Sequence, residues 1–206
     1  MVRPPRPPRA SSYLRERAAS EATGASRVKE LFAIHGLSPR KRMGQNFLIR
    51  EELAERIVEH CRLEPDEVAV EIGPGAGAIT LRIARRVRHL VAVEMDRGLA
   101  ALLREELSGF PRVELVEADF LELDLAALAA AHGVAKLAVV GNIPYNITTP
   151  ILERIFAQRA VVKSAVLLVQ KEYAERLAAA AGTPEYGSLT LFARYHALLE
   201  PLMAVR

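Results

Sequence analysis

Between Glu51 and Leu63 the apolar residues Leu53, Ile57, Val58 and Cys61 recur at helical spacing, so this segment is predicted to be an amphipathic helix. The next apolar run, "EVAVEI", is short and lies between Pro65 and the glycines of 73 to 77, which marks a strand. From there the two periods alternate. Helix "AITLRIARRV", strand "HLVAVE", helix "RGLAALLREEL" and strand "VELVEA" come first, then a helix near 125 to 131 and strand "KLAVVG". Helix "TPILERIF", strand "SAVLLVQ" and helix "EYAERLAA" follow. Upstream, "SRVKELFAIHG" reads as a short helix ended by Gly36, and "LSPRKRMGQNFL" as a basic loop.

Short apolar strands alternating with amphipathic helices imply right-handed βαβ units. The predicted fold is α/β and Rossmann-like, a mostly parallel sheet with helices on both faces. Neither an internal repeat nor a second globular domain is expected. In such sheets ligands bind beyond the carboxyl ends of the strands, where the strand order reverses.

Composition narrows the possibilities. At 206 residues and 50% hydrophobic content the chain can bury one good-sized core. Charged residues interrupt every apolar stretch before it reaches the roughly 18 residues of a membrane helix. Cys61 is the only cysteine, which excludes an internal disulfide and fits a reducing cytoplasm; its apolar neighbours make it a core residue. The five histidines show no ligand spacing, so no metal is implied. Residues 1 to 42 hold 10 Lys+Arg against 3 Asp+Glu, a net of +7, whereas residues 43 to 206 hold 18 against 22, a net of −4. The first 26 residues are expected to be a disordered basic tail, attractive to a polyanion such as RNA or simply solvated. Residues 27 to 206 are expected to form the catalytic domain.

The candidate chemistry sits at the strand ends. Acids, glycines and prolines after one strand are ordinary turn residues, but here four strands in order end on such groups. "EIGPGAG" places Gly73, Gly75 and Gly77 where a strand turns into a helix, letting a ligand approach the backbone. The spacing is G-x-G-x-G, not the G-x-G-x-x-G of dinucleotide readers. Glu94 lies 21 positions after Gly73 and is placed to accept hydrogen bonds from two ribose hydroxyls. As an exposed strand-end carboxylate it should be dispensable to the fold. Asp119 can accept from an adenine amine, with Phe120 beside it for apolar contact. "VVGNIPYNITTP" then presents Asn142, a backbone carbonyl of Ile143 directed by Pro144, and Tyr145. Two acceptors aimed at one amino nitrogen would hold an adenine amine, and Tyr145 could stack on its base.

"NIPY", preceded in order by "EIGPGAG", "VAVEMD" and "EADFLEL", resembles the amino-methyltransferases that modify adenine with S-adenosyl-L-methionine. With "PRKRMGQNFL" upstream and "EYGSLTLFARY" downstream, the chain from about Leu37 onward resembles the small-subunit (16S) ribosomal RNA adenine dimethyltransferases. That resemblance implies two methyl transfers to each of two adjacent adenosines in a hairpin loop near the 3′ end of 16S rRNA. It implies a monomeric cytoplasmic enzyme acting in small-subunit biogenesis, with 16S rRNA of an immature subunit as partner. It also implies that Asn46 and Leu48 close over the methionine part of the cofactor and that Gly73 lies under that end. Glu94 would hold the ribose, Asp119 the adenine, and Asn142 would bridge cofactor and target amine. Asn142 and Tyr145 are the expected catalytic residues.

The family continues past "LLEPLMAVR" with a loop carrying a second aromatic, a strand and a helical domain, so a chain ending there is expected to keep its cofactor residues but to grip RNA less well. Large-subunit rRNA methyltransferases of the antibiotic-resistance type share "QNFL" and "NIPY" and are the nearest alternative. A ribosome-assembly factor without catalysis and a small-molecule methyltransferase are the readings from other classes.

Overall fold

The computed structural model describes residues 51–205. The basic tail, the predicted helix before Gly36 and the loop carrying Asn46 and Leu48 lie outside them. Five strands form one all-parallel sheet: β1 (Val68–Ile72), β2 (His89–Glu94), β3 (Val113–Glu117), β4 (Leu137–Asn142) and β5 (Val162–Leu168). Their spatial order is β3-β2-β1-β4-β5. The chain builds outward from β1 to β3 and then returns to pair β4 against the other side of β1. The reversal therefore lies between β1 and β4, and it opens a crevice above their carboxyl ends.

Burial follows position in the sheet. Every residue of β1 is buried, as are all of β2 except His89 and all of β4 except Asn142. The edge strands β3 and β5 are only partly covered, which explains their charged and polar letters. Successive side chains alternate between two cores. On one face, Ala69, Leu90, Ala138 and Val140 pack against α1 (Glu51–His60) and α2 (Thr80–Ala84). Leu102 and Leu103 of α3 (Arg97–Glu106) join Leu81 beside them. On the other face, Val70, Val91 and Val139 pack against α4 (Leu125–Ala131) and α5 (Thr148–Ala157). Cys61 is a core residue, 5% exposed, its Sγ on the Ile57 carbonyl at 3.2 Å; burial raises its thiol to about 11.

After β5 come α6 (Lys171–Ala178) and α7 (Ser188–His196). The pattern of apolar residues did not foretell α7, because "SLTLFARYH" interleaves aromatic and β-branched residues with polar ones. Tertiary contacts hold it as a helix. Ala193 is fully buried in the α4/α5 core, Phe192 meets Phe156 edge to face at 5.5 Å, and Thr190 Oγ1 donates to the Arg176 carbonyl of α6 at 2.5 Å. No helix among the described residues is long and apolar enough to cross a membrane.

Candidate active site

Above the carboxyl ends of β1, β2 and β4 lies a cavity of about 230 Å³. Gly73 and Gly75 line it, and Gly77 follows in the same loop, with φ of +61°, +60° and +78°. These values lie in the left-handed region, where a side chain is strained. At Gly73 a Cβ would meet nothing within 4 Å, so the glycine is required by the turn itself while its exposed side stays open to a ligand.

Glu94 corrects the sequence expectation. Its residue is 3% exposed, not a surface carboxylate. Oε2 accepts from the Gly75 N–H at 3.1 Å and Oε1 from the Asp96 N–H at 2.9 Å. The carboxylate thus ties the glycine loop after β1 to the turn after β2. Burial pushes its pKa up, while the Asp96 and Gly75 hydrogen bonds oppose that rise. Each oxygen has a second lone pair, so the group can hold the loop and still accept from a ligand in the cavity. The next turn is built similarly: Asp96 Oδ1 accepts from Gly98 N and Leu99 N and caps α3.

Asp119 and Phe120 line the opposite wall. Asp119 Oδ1 accepts from Leu121 N at 2.9 Å, which fixes the carboxylate's orientation beside the buried Phe120 ring. Asn142, the last residue of β4, and Pro144 complete the crevice. Ile143 continues the sheet pairing through its N–H to the Leu168 carbonyl at 3.0 Å, and it is 2% exposed. Pro144, with φ of −58° and ψ of 140°, turns the chain out into a 3₁₀ turn over Tyr145–Ile147. The Pro144 carbonyl accepts from Ile147 N and from Thr148 Oγ1. Tyr145 stands at the rim, 46% exposed and not in the cavity wall; Asn146 and Ile147 are in that wall and had escaped the sequence reading.

Glu71, which the sequence places at the end of the first strand without a role, belongs to the wall as well. A single acid inside the apolar strand "VAVEI" was its visible signal. It is 1% exposed and lines the cavity, and neither carboxyl oxygen makes a hydrogen bond of proper geometry among the described residues. Burial pushes its pKa up to about 8; the nearby Thr80 hydroxyl lowers it somewhat and the Glu94 charge raises it. Thr80 Oγ1 is also buried without a well-formed hydrogen bond among the described residues. The cavity wall therefore carries Glu71, Glu94 and Asp119, and no lysine or arginine lines it among the described residues. With Glu94 and Asp119 in the wall and no basic side chain beside them among the described residues, the cavity favours a ligand carrying positive charge over an anionic one.

Comparison with known proteins agrees with this architecture. The family model "Ribosomal RNA adenine dimethylase" matches residues 36–206. The chain is 41% identical over 181 residues to the Ribosomal RNA small subunit methyltransferase A of Geobacillus thermodenitrificans (strain NG80-2), covering 87% of this chain and 62% of that protein. It is 42% identical over 171 residues to the protein of the same name from Geobacter metallireducens (strain ATCC 53774 / DSM 7210 / GS-15), covering 83% and 62%. The chain thus spans less than two thirds of these relatives' length. Among solved structures, the 23S rRNA methyltransferase ErmE superposes with a TM-score of 0.57 at 36% identity, over 64% of this chain and 50% of that one. A dimethyladenosine transferase from Plasmodium falciparum superposes at 0.58 and 25% identity, over 68% and 48%. The fold is the Rossmann-like fold of S-adenosyl-methionine-dependent methyltransferases, and the chain belongs to the ribosomal RNA adenine dimethylase family.

Proposed function

We propose that this chain is the methyl-transferring domain of a small-subunit ribosomal RNA adenine dimethyltransferase, with S-adenosyl-methionine held in the cavity at the strand ends. The observation that carries the reading is the wall holding Glu71, Glu94 and Asp119, with no basic residue among the described residues that line it, set beside the Asn142–Pro144 crevice. A methyl donor with a sulfonium and an ammonium fits that wall. Glu71, buried and without a well-formed hydrogen bond among the described residues, would be ionised by such a cation, which supplies the partner its carboxylate lacks.

In this reading Glu94 accepts from the ribose hydroxyls, Asp119 from the adenine amine, and Phe120 packs on the base. Gly73 lies under the methionine end, and Asn46 and Leu48, outside the described residues, close over it. Bound S-adenosyl-methionine supplies an already activated methyl group, so the protein's part is alignment and exclusion of water. Asn142 contributes a carbonyl acceptor at the amine of the target adenosine, assisted by the backbone carbonyl of Ile143. Tyr145, 46% exposed at the rim, would stack on an incoming base, a contact worth roughly 1–3 kcal/mol. The substrate proposed is 16S rRNA in an immature small subunit in the cytoplasm, with the chain acting as a monomer. Support comes from the small-subunit methyltransferases that are about 40% identical to this chain.

The test is incorporation of labelled methyl groups into small subunits that lack the modification, followed by nucleoside analysis. The expected product is N6,N6-dimethyladenosine in small-subunit RNA. Methylation of large-subunit RNA instead would favour the antibiotic-resistance type of enzyme. Binding to the subunit without incorporation would favour an assembly factor.

A further inference from the structure

We propose that His89, Glu114 and His132 form a binding site for a divalent transition-metal ion, zinc first among them, at the end of the sheet opposite the cavity. The three residues are remote in sequence, and the fold brings them together. His89 opens β2, and Glu114 is the second residue of β3. In the parallel register Glu114 lies beside Val91, so it shares a face with His89 two residues earlier. His132 is the C-cap of α4, which runs back across that same face, and Arg88 Nη2 holds its carbonyl at 2.7 Å.

The distances favour a shared ion over direct hydrogen bonds. Glu114 Oε2 lies 3.4 Å from His132 Nε2 and 3.6 Å from His89 Nε2. Both exceed the usual N–H···O range of 2.7–3.2 Å. The first matches the edge of a tetrahedron with metal–ligand bonds of about 2.0–2.1 Å, which is about 3.3–3.4 Å, and the second is slightly longer. One ligand atom from each of the three residues lies within 4.8 Å of the others, so closing the last edge needs only small side-chain rotations. His89 Nε2 is buried with no hydrogen-bond partner, whereas the Glu114 side chain is 48% exposed. The site thus has an inner ligand atom shielded from solvent and an exposed carboxylate on its open side. Two imidazoles and one carboxylate form a donor set suited to Zn²⁺, Co²⁺ or Ni²⁺ and poor for Mg²⁺ or Ca²⁺. Bound there, the ion would pin the sheet edge formed by β2 and β3 to the end of α4.

The experiment is Zn²⁺ titration of the full chain against a chromophoric chelator, with Co²⁺ absorption as the second readout. One strong site per chain is expected, with the intense visible bands of four-coordinate Co²⁺. Glu114→Gln and His132→Gln should each weaken binding at least about tenfold, and Zn²⁺ should raise the melting midpoint of the parent but not of these variants. Both substitutions fall on partly exposed side chains and keep polar bulk, and circular dichroism would verify that the variants fold. The proposal is overturned if the parent binds no Zn²⁺ at micromolar concentration. It is equally overturned if either folded variant binds as tightly as the parent, or if Co²⁺ shows only the weak bands of six-coordination.

Discussion

Glu71 and Glu94 sit on adjacent strands, β1 and β2, in the same wall and should respond differently to substitution. Glu71 has a folded pKa near 8 against an ordinary 4.5, so the folded state binds more protons than the unfolded state between these values. Stability should therefore fall as pH rises from about 4.5 to 8 and level off above, by roughly a few kcal/mol. Glu71→Gln should abolish that part of the slope and be more stable than the parent above pH 8 in chemical denaturation; an unchanged slope would remove Glu71 as its source. Glu94→Ala strips acceptors from two part-buried N–H groups and should cost about 1–2 kcal/mol, together with a loss of S-adenosyl-methionine affinity. A variant of parental stability would show that the tie between the loops is inconsequential. At this scale the sequence disclosed residue types well. Gly73, Glu94, Asp119 and Asn142 were all legible from their places at strand ends, and the structure gathers them around one cavity. What it hid was depth: nothing in "VAVEMD" distinguishes a surface carboxylate from one that is 3% exposed, because burial depends on the loops folding over it.

At the level of elements, the junction of β4 with its following turn decides the crevice. Ile72 and Gly141 are paired across β1 and β4, and a Cβ on Gly141 would fall 2.7 Å from Ile143 Cδ1 and 3.0 Å from Ile72 Cβ. Gly141→Ala should lower stability by about 1–3 kcal/mol and shift the Asn142–Pro144 segment, reducing methyl transfer. Thermal melting and activity measured together would check it, and a variant normal in both would mean that the junction yields freely. On the 3₁₀ turn beyond, Tyr145→Ala should lower methylation while sparing cofactor affinity, and Tyr145→Phe should keep most activity because the ring makes the stack. Equal damage from both would assign the work to the hydroxyl. The strands were readable in the sequence because β1, β2 and β4 are short, apolar and bounded by turn residues. Helix α7 was not, since its stability comes from Phe156 and the α6 carbonyl, not from its own periodicity. The meeting of His89 with His132 was invisible for a related reason: only the strand register and the path of α4 bring them together.

Across the whole molecule, two cores on either side of one parallel sheet hold five strand ends in fixed order, and the ligand chemistry is gathered at one end. The alternation of periods was sufficient to foresee this architecture, since parallel neighbours need crossovers and crossovers place helices on both faces. The strand order, with β4 returning to β1, comes from packing and could be anticipated only through the fold class. Its consequence is an acid-lined cavity above the strand ends, to which the proposed function assigns a cationic ligand. The most direct measurement is a calorimetric titration of the chain with S-adenosyl-methionine, with a nicotinamide dinucleotide as control and Asp119→Ala as the variant. The account expects one saturable site per chain for S-adenosyl-methionine, at least about tenfold weaker in Asp119→Ala, and no comparable binding of the dinucleotide. No binding of S-adenosyl-methionine, equal binding by the variant, or tighter binding of the dinucleotide would contradict it.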